Sequence, residues 1–243
     1  MKIVVVVRAR DEENDIGRFC ESYEDADHII VSDGGSVDRT VEIASSFPNV
    51  ILKPFGERVE LENGEWRNND SAHANHLFVE AEKLEPDWII YDDCDCVPNY
   101  LVKKDYRKIL AETDKNVVMI TRFYFWKSED YFPQLSKPGR EGNFEPSLWA
   151  WRGNMNVRTV DIPPAYTFTM TGGKPVKDFH FDSTTLDLFP PYALLHYAWD
   201  DAKVAKKYQY YVKSGLIPGF VHPILNSGYG ELVAREEWMR ENE

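Results

Sequence analysis

The sequence predicts an α/β fold with a doubly wound mixed sheet, followed by a C-terminal hairpin and helix, and three observations carry that prediction. Ile3 to Val7 is an unbroken β-branched run of strand length, the pattern of a parallel strand covered on both faces. Apolar strand runs and helix-spaced segments then alternate β-α-β-α-β up to Leu52. Successive strands end in polar or acidic residues, which would line one edge of the sheet, where folds of this class bind their ligands.

Taken in order, the first strand leads through Arg8-Ala9-Arg10-Asp11-Glu12 into a helix with Ile16, Phe19, Cys20 and Tyr23 on one face. His28 to Ser32 is a second strand, closed by Asp33-Gly34-Gly35-Ser36. Val37, Val41 and Ala44 mark a helix that Ser36 can cap. Val50 to Leu52 is a third strand. Gly56 to Asn69 reads as a polar loop, with Asn63-Gly64 as its turn. The next helix carries Ala74, Leu77, Phe78, Ala81 and Leu84 on one face and leads to an apolar strand from Trp88. Leu101 to Leu110 is expected to be helical and Val117 to Trp126 a strand. Residues 127–147 read as a loop, and Trp149-Ala150-Trp151 and Val157 to Val160 as short strands. Tyr166 to Thr171 and Val176 to Asp182 form the expected hairpin around Gly172-Gly173-Lys174-Pro175. Leu194 to Tyr197 precedes a last helix from Asp200.

The chain has 243 residues, 43% of them hydrophobic and 14% aromatic, enough for a packed core. Its 28 Lys and Arg against 41 Asp and Glu give a net charge of −13, which argues against a nucleic-acid-coating surface and suits cation binding. An odd number of cysteines, three, fits a reducing compartment without a disulfide framework. No stretch approaches the roughly 20 apolar residues of a membrane span, and Ile3 to Val7 is too short for a signal peptide. These features predict a soluble, cytoplasmic protein, with peripheral membrane attachment left open.

Trp88 to Pro98 is the stretch with the clearest chemistry: an apolar strand ending in Asp92, Asp93 and Asp95. Asp93 and Asp95 are two apart and share a side of an extended chain, so their charges repel unless a cation or shared proton relieves them. A solvated acidic turn is the alternative. Cys94 and Cys96 could favour zinc as thiolates, or pack inertly on the opposite face with Asp92.

Val4 to Val7 followed by Asp11-Glu12, then Asp33-Gly34-Gly35-Ser36-Val37-Asp38-Arg39-Thr40, then Asp93-Cys94-Asp95, resembles in order and spacing the family 2 glycosyltransferases of the A-type (GT-A) fold. The family pattern has Asn-Glu after the first strand; here Asp11 replaces the Asn. The likeness covers about the first 100 residues. It implies a single GT-A-like catalytic domain over 1–215, with a nucleotide-sugar-binding half at 1–100, an acceptor half at 101–215, and an extension at 216–243. It implies a transferase that moves a sugar from a nucleotide-diphosphate donor to a hydroxyl of a glycan, lipid-linked or other acceptor, with inversion. Ala9, Arg10, Asp11 and Glu12 would line the base and ribose, and Asp33 would accept a hydrogen bond from the base. Asp38, in the first turn of a helix, keeps a structural reading. Asp95 would coordinate Mn²⁺ or Mg²⁺, with Asp93 joining it or holding the ribose, because a hard cation on carboxylates stabilises a departing diphosphate.

His196 falls where many A-type transferases place a third metal or diphosphate contact, and a satisfied core histidine is its alternative. Arg67, and His73 on the next helix, lie where the family often places a basic residue near the diphosphate, and Arg67 is preferred; His73 and His76 lack a third ligand for a metal pair. The catalytic base, a carboxylate that takes the acceptor proton, is sought first at Asp182 and then at Glu145, with Asp178 also available. Packing of His180 or His196 against Asp182 would make that pair structural. Aromatics from Phe123 to Trp151 would stack on an acceptor sugar or simply fill the core. The rival classes are a non-catalytic nucleotide-sugar-binding domain and a sugar nucleotidyltransferase. Against the latter, Arg8 to Asp11 lacks the Gly-rich loop such enzymes carry after the first strand.

Overall fold

The computed structural model describes residues 1–60, 66–126, 131–133, 146–162, 165–169, 184–188, 192–199 and 232–234. The chain opens with β1 (Ile3–Ala9), α1 (Ile16–Ser22), β2 (His28–Asp33), α2 (Thr40–Ser45) and β3 (Val50–Pro54). It continues through β4 (Arg58–Glu60), β5 (Trp66–Asn68), α3 (Asp70–Glu82), β6 (Trp88–Asp93), β7 (Cys96–Pro98) and α4 (Tyr100–Glu112). The rest is strand: β8 (Val117–Trp126), β9 (Tyr131–Pro133), β10 (Pro146–Arg152), β11 (Arg158–Ile162), β12 (Ala165–Thr169), β13 (Thr185–Leu188), β14 (Leu194–Trp199) and β15 (Leu232–Ala234).

Nine strands form one sheet in the order β3-β2-β1-β6-β10-β8-β14-β7, with β13 also paired to β8. The pairs among β3, β2, β1 and β6 are parallel, as the alternating pattern requires, whereas β10 runs antiparallel to both neighbours and makes the sheet mixed. Side-chain alternation splits the core into two layers. Ile3, Val5, Val7, Trp88 and Ile90 pack with Ile16, Phe19 and Tyr23 of the α1 segment and with Tyr106 and Leu110 of α4. Val4, Val6, Ile89 and Tyr91 pack on the other face against Ala74, Leu77, Phe78 and Ala81 of α3. Each long helix starts on an asparagine: Asn69 accepts the Ala72 N–H at 3.1 Å, and Asn99 the Val102 N–H at 3.0 Å.

A register shift between Leu148 and Ala150 interrupts β10. Trp149 and Trp151, two apart, would share a face on a regular strand; the bulge sends Trp149 into one core layer and Trp151 into the other. Both are fully buried, so these two aromatics fill the core and do not face an acceptor.

Other expectations shift in detail. The loop expected over 56–69 contains the antiparallel pair β4–β5 flanking Asn63-Gly64, a turn that lies outside the described residues. β12 is the expected first hairpin strand, and it pairs with the preceding β11. Residues 176–182 and the helix from Asp200 lie outside the described residues. α2 begins at Thr40, four residues after Ser36, so Ser36 does not cap it; its hydroxyl is used elsewhere, as described below. Among the described residues no helix is long and apolar enough to cross a membrane.

Candidate active site

Register aligns the carboxyl ends of three parallel strands. Ala9 of β1 lies opposite Asp33 of β2, and Arg8 lies opposite Asp93 of β6. The loops after β1 and β2 and the acidic end of β6 therefore share one edge of the sheet, the edge where ligands of doubly wound sheets bind.

The first two loops are laced together. The Gly34 N–H donates to the Ala9 carbonyl at 2.8 Å. Asp11 N–H donates to Ser36 Oγ at 3.0 Å, and Val37 N–H returns a bond to Asp11 Oδ1 at 2.9 Å. Glu12 N–H donates to Thr40 Oγ1 at 2.7 Å, and Glu13 N–H to Asp38 Oδ2 at 3.1 Å. Ser36, Asp38 and Thr40, alternate members of the Asp-x-Gly-Ser-x-Asp-x-Thr element, thus each accept one backbone N–H of the opposing loop. Asp38 also accepts the Thr40 N–H at 2.9 Å, which bears out its structural reading. Two residues take left-handed conformations to allow this: Asp11 at φ 55° and Gly35 at φ 89°. Aspartate tolerates that region better than most residues with a Cβ, and glycine enters it freely.

Asp33, expected to meet the base, holds its own turn. Its carboxylate accepts the Gly35 N–H at 3.1 Å, the Ser36 N–H at 3.0 Å and the Ser36 hydroxyl. Ala9 is buried, Arg10 exposed, and Asp11 and Glu12 half-buried. Val37, at the tip of the second loop, is 93% exposed.

The acidic end of β6 is organised by charge. Asp93, 37% exposed, meets two guanidinium groups: Arg8 Nη2 lies 3.4 Å from Oδ1 and Arg122 Nη1 3.3 Å from Oδ2. Each arginine holds a second acid. Arg8 Nη1 lies 3.2 Å from Oδ1 of Asp70, the first residue of α3, and Arg122 Nη2 lies 3.0 Å from Asp92 Oδ1. The β10–β6 ladder pairs Ala150 with Ile90 and stops short of Asp92, and Arg122 of β8 reaches across that opening. Neither Arg8 nor Arg122 belongs to the family pattern. A charged residue within the run Val117 to Trp126 signals a buried partner, which is how Arg122 could have been found.

Asp92 is 0% exposed, and its Oδ2 finds no hydrogen-bond partner among the described residues. Burial pushes its carboxyl up to about 7; the Arg122 guanidinium pulls the other way, and the Asp93 charge adds to the rise. Ligand atoms of Asp92, Asp93 and Cys96 lie within 4.8 Å of one another. Asp95 follows in the turn, 5% exposed, and is not one of those three. Burial drives the Cys94 and Cys96 thiols far above their ordinary range. The carboxylate oxygens of Asp92 and Asp93 are donors that suit a hard divalent cation such as Mg²⁺ or Mn²⁺, and Cys96 adds a softer sulfur beside them. In the backbone, His196 of β14 sits opposite Cys96 of β7 and Tyr124 of β8, one strand from the acidic turn.

His73 is engaged within the fold. It is buried, stacks on Phe55 at 4.2 Å, and sets Nε2 3.1 Å from the Ser32 carbonyl oxygen and 2.8 Å from its hydroxyl. Burial, reinforced by the Arg8 charge, lowers its pKa to about 3, so it is neutral. Arg67 lies in β5 opposite Val59. Glu145, Asp178, His180 and Asp182 lie outside the described residues.

The sequence matches the family described as Glycosyl transferase family 2 over residues 4–173, well over half of the chain. The chain belongs to that family. Uncharacterised proteins of Mycobacterium tuberculosis and Mycobacterium bovis are each 25% identical to it over 212 residues. The aligned region is 82% of this chain and 47% of theirs, so the chain spans about half the length of the curated relatives it matches. The crystal structure of S. aureus TarS 1–349 in complex with UDP-GlcNAc superposes with a TM-score of 0.54 at 14% identity, over 82% of this chain and 60% of that one. A second crystal structure of S. aureus TarS 1–349 gives 0.51 at 14% identity, over 93% of this chain and 68% of that one. These likenesses show the fold: the family 2 chain has the mixed α/β architecture of the A-type glycosyltransferases, as the motif order implied.

Proposed function

We propose that the chain is a cation-assisted glycosyltransferase that moves a sugar from a nucleoside-diphosphate donor to an acceptor hydroxyl with inversion, its catalytic domain spanning 1–215. The observation that carries this reading is the alignment of the β1, β2 and β6 carboxyl ends at one edge, with the acids of β6 among them. The solved TarS complex holds UDP-GlcNAc, which makes uridine the first nucleotide to test.

In this reading the laced loops after β1 and β2 form the floor for the nucleoside, with Ala9, Arg10, Asp11 and Glu12 along it. Asp33 keeps carboxylate lone pairs for the base beyond those used in its turn. Asp95 is the primary ligand of Mn²⁺ or Mg²⁺, Asp93 joins it or holds the ribose, and His196 completes the set from the neighbouring strand. When bound, the cation supplies positive charge against the diphosphate as it departs. Arg67 steadies the diphosphate. Asp182, or failing it Glu145, takes the acceptor's proton as its oxygen attacks the anomeric carbon from the side opposite the diphosphate.

The test is a screen of nucleotide sugars, beginning with UDP-GlcNAc, by thermal shift and by nucleoside-diphosphate release, with Mn²⁺ and with EDTA. A true donor raises the melting temperature by mass action and releases its diphosphate in the presence of Mn²⁺. A chain that no nucleotide sugar stabilises, and that releases no diphosphate, is not this enzyme. Release undiminished by EDTA removes the cation from the mechanism and leaves the transfer.

A further inference from the structure

We propose that Arg8 and Arg122 are built-in counter-ions of Asp93 that compete with the divalent cation for it and so set how tightly the site takes that cation; this rests on the metal role proposed above for Asp93.

The geometry has three parts. Both carboxylate oxygens of Asp93 face a guanidinium, at 3.4 Å from Arg8 and 3.3 Å from Arg122. These contacts are at or beyond the long end of the hydrogen-bond range, whereas a small divalent cation approaches a carboxylate oxygen to about 2.0–2.2 Å. Cation and guanidinium draw on the same negative charge, and the closer, doubly charged group wins it. Secondly, each arginine has another acid to retain: Arg8 has Asp70 at 3.2 Å and Arg122 has Asp92 at 3.0 Å, both shorter than the contacts with Asp93. Releasing Asp93 therefore strands neither guanidinium, which keeps the exchange cheap. Thirdly, Asp92 is fully buried, its Oδ2 has no hydrogen-bond partner among the described residues, and a carboxylate oxygen of Asp92 lies within 4.8 Å of one of Asp93, so a second acid stands where a cation would sit.

The exchange has a consequence for binding order. Asp70, Asp92, Asp93 and the proposed ligand Asp95 against Arg8 and Arg122 sum to −2, counting every group as charged. A divalent cation brings that sum to 0, and the guanidinium groups released from Asp93 then face an incoming anion. The cluster repels a diphosphate before the cation arrives and no longer does so afterwards.

The experiment measures Mn²⁺ binding to the purified chain without donor, from the electron paramagnetic resonance signal of free Mn²⁺. Arg8→Gln should bind Mn²⁺ roughly fivefold more tightly than wild type, the scale of a half-exposed charge pair. Arg8→Lys, which keeps the charge, should stay within about twofold. Asp93→Asn should bind at least about tenfold more weakly, because it loses a charged ligand. Arg122→Gln should tighten binding in the same direction as Arg8→Gln. It also uncovers the buried Asp92 charge, so its fold is checked by circular dichroism, and Arg8→Gln decides if it does not fold. Arg8→Gln binding no tighter than wild type, while Asp93→Asn still weakens, overturns the competition and leaves the metal site standing. Mn²⁺ binding that is absent, or indifferent to Asp93→Asn, overturns the metal role and the competition with it.

Discussion

Two regions meet at the carboxyl edge of the sheet, and they spend their polar atoms differently. At the ends of β1 and β2, Ser36, Asp38 and Thr40 accept backbone N–H groups of the facing loop, and Asp33 closes its own turn. At the end of β6, Asp92 and Asp93 meet guanidinium groups from β1 and β8, and charge is balanced against charge. The first arrangement fixes shape. The second stores electrostatic potential that a ligand can redistribute. The most recognisable stretch of the sequence is thus chiefly a latch, while the chemistry-ready cluster takes Asp93 alone from the motif and draws Asp70, Asp92, Arg8 and Arg122 from outside it.

The largest expected effect separates the two regions outright. Asp95→Ala should reduce sugar transfer by at least about a thousandfold, the scale for removing a group that fixes a catalytic charge, with circular dichroism unchanged. Asp182→Asn should abolish transfer while donor-induced thermal stabilisation persists. Full turnover in Asp95→Ala would move the metal centre elsewhere, and a dead Glu145→Gln beside an active Asp182→Asn would reverse the order of the two candidate bases.

A smaller effect comes from His73, which braces the end of β2 through Ser32 and lies near Arg8. Its folded pKa, about 3, is below the ordinary histidine value, so the unfolded chain binds the proton first. Its contribution to stability is therefore present above about pH 6.5 and is lost as pH falls toward 3, at about 1.4 kcal/mol per pH unit. His73→Gln keeps a donor for the Ser32 carbonyl and removes the titration. Denaturant melts of both proteins between pH 7 and pH 4.5 should converge as the pH falls. A constant gap between them would mean that His73 is protonated in the fold.

How much of this was legible follows from the same contrast. β1, β2 and β6 were readable because strands buried on both faces leave continuous apolar runs, β3, the half-buried end strand, was readable from its place in the β-α-β alternation, and the strand tips could be placed at one edge by topology alone. The sequence reads Asp38 as structural from a place in the first turn of a helix; it lies ahead of α2, and it is the Glu13 and Thr40 N–H groups it accepts that make it structural. The bulge in β10 was not, since Ser147 to Trp151 carries no glycine or proline to mark it and only the two-layer core reveals why Trp149 and Trp151 part. Arg8 and Arg122 were missed for a different reason: their partners are 85 and 29 or 30 residues away in sequence, and only strand register brings them together. His73 looked like a ligand because its type is chemical; its neighbours Phe55 and Ser32 make it packing.

The finest test lies inside the latch, where side-chain and backbone contributions can be told apart. Thr40 is fully buried, accepts the Glu12 N–H at 2.7 Å and donates its hydroxyl to Asp38. Thr40→Val keeps the volume and removes both bonds, so it should cost about 1–2 kcal/mol and lower the melting temperature by a few degrees. Arg39, next to it, contributes its backbone N–H to Glu13 at 3.2 Å, while its side chain only pairs with exposed Glu42. An exposed pair on one turn of helix adds almost nothing once solvent screens it. Arg39→Ala retains the backbone bond and should leave the melting temperature unchanged at both low and high salt. If Arg39→Ala proved as damaging as Thr40→Val, the loops would be held by surface charge and the distinction between the two regions would collapse.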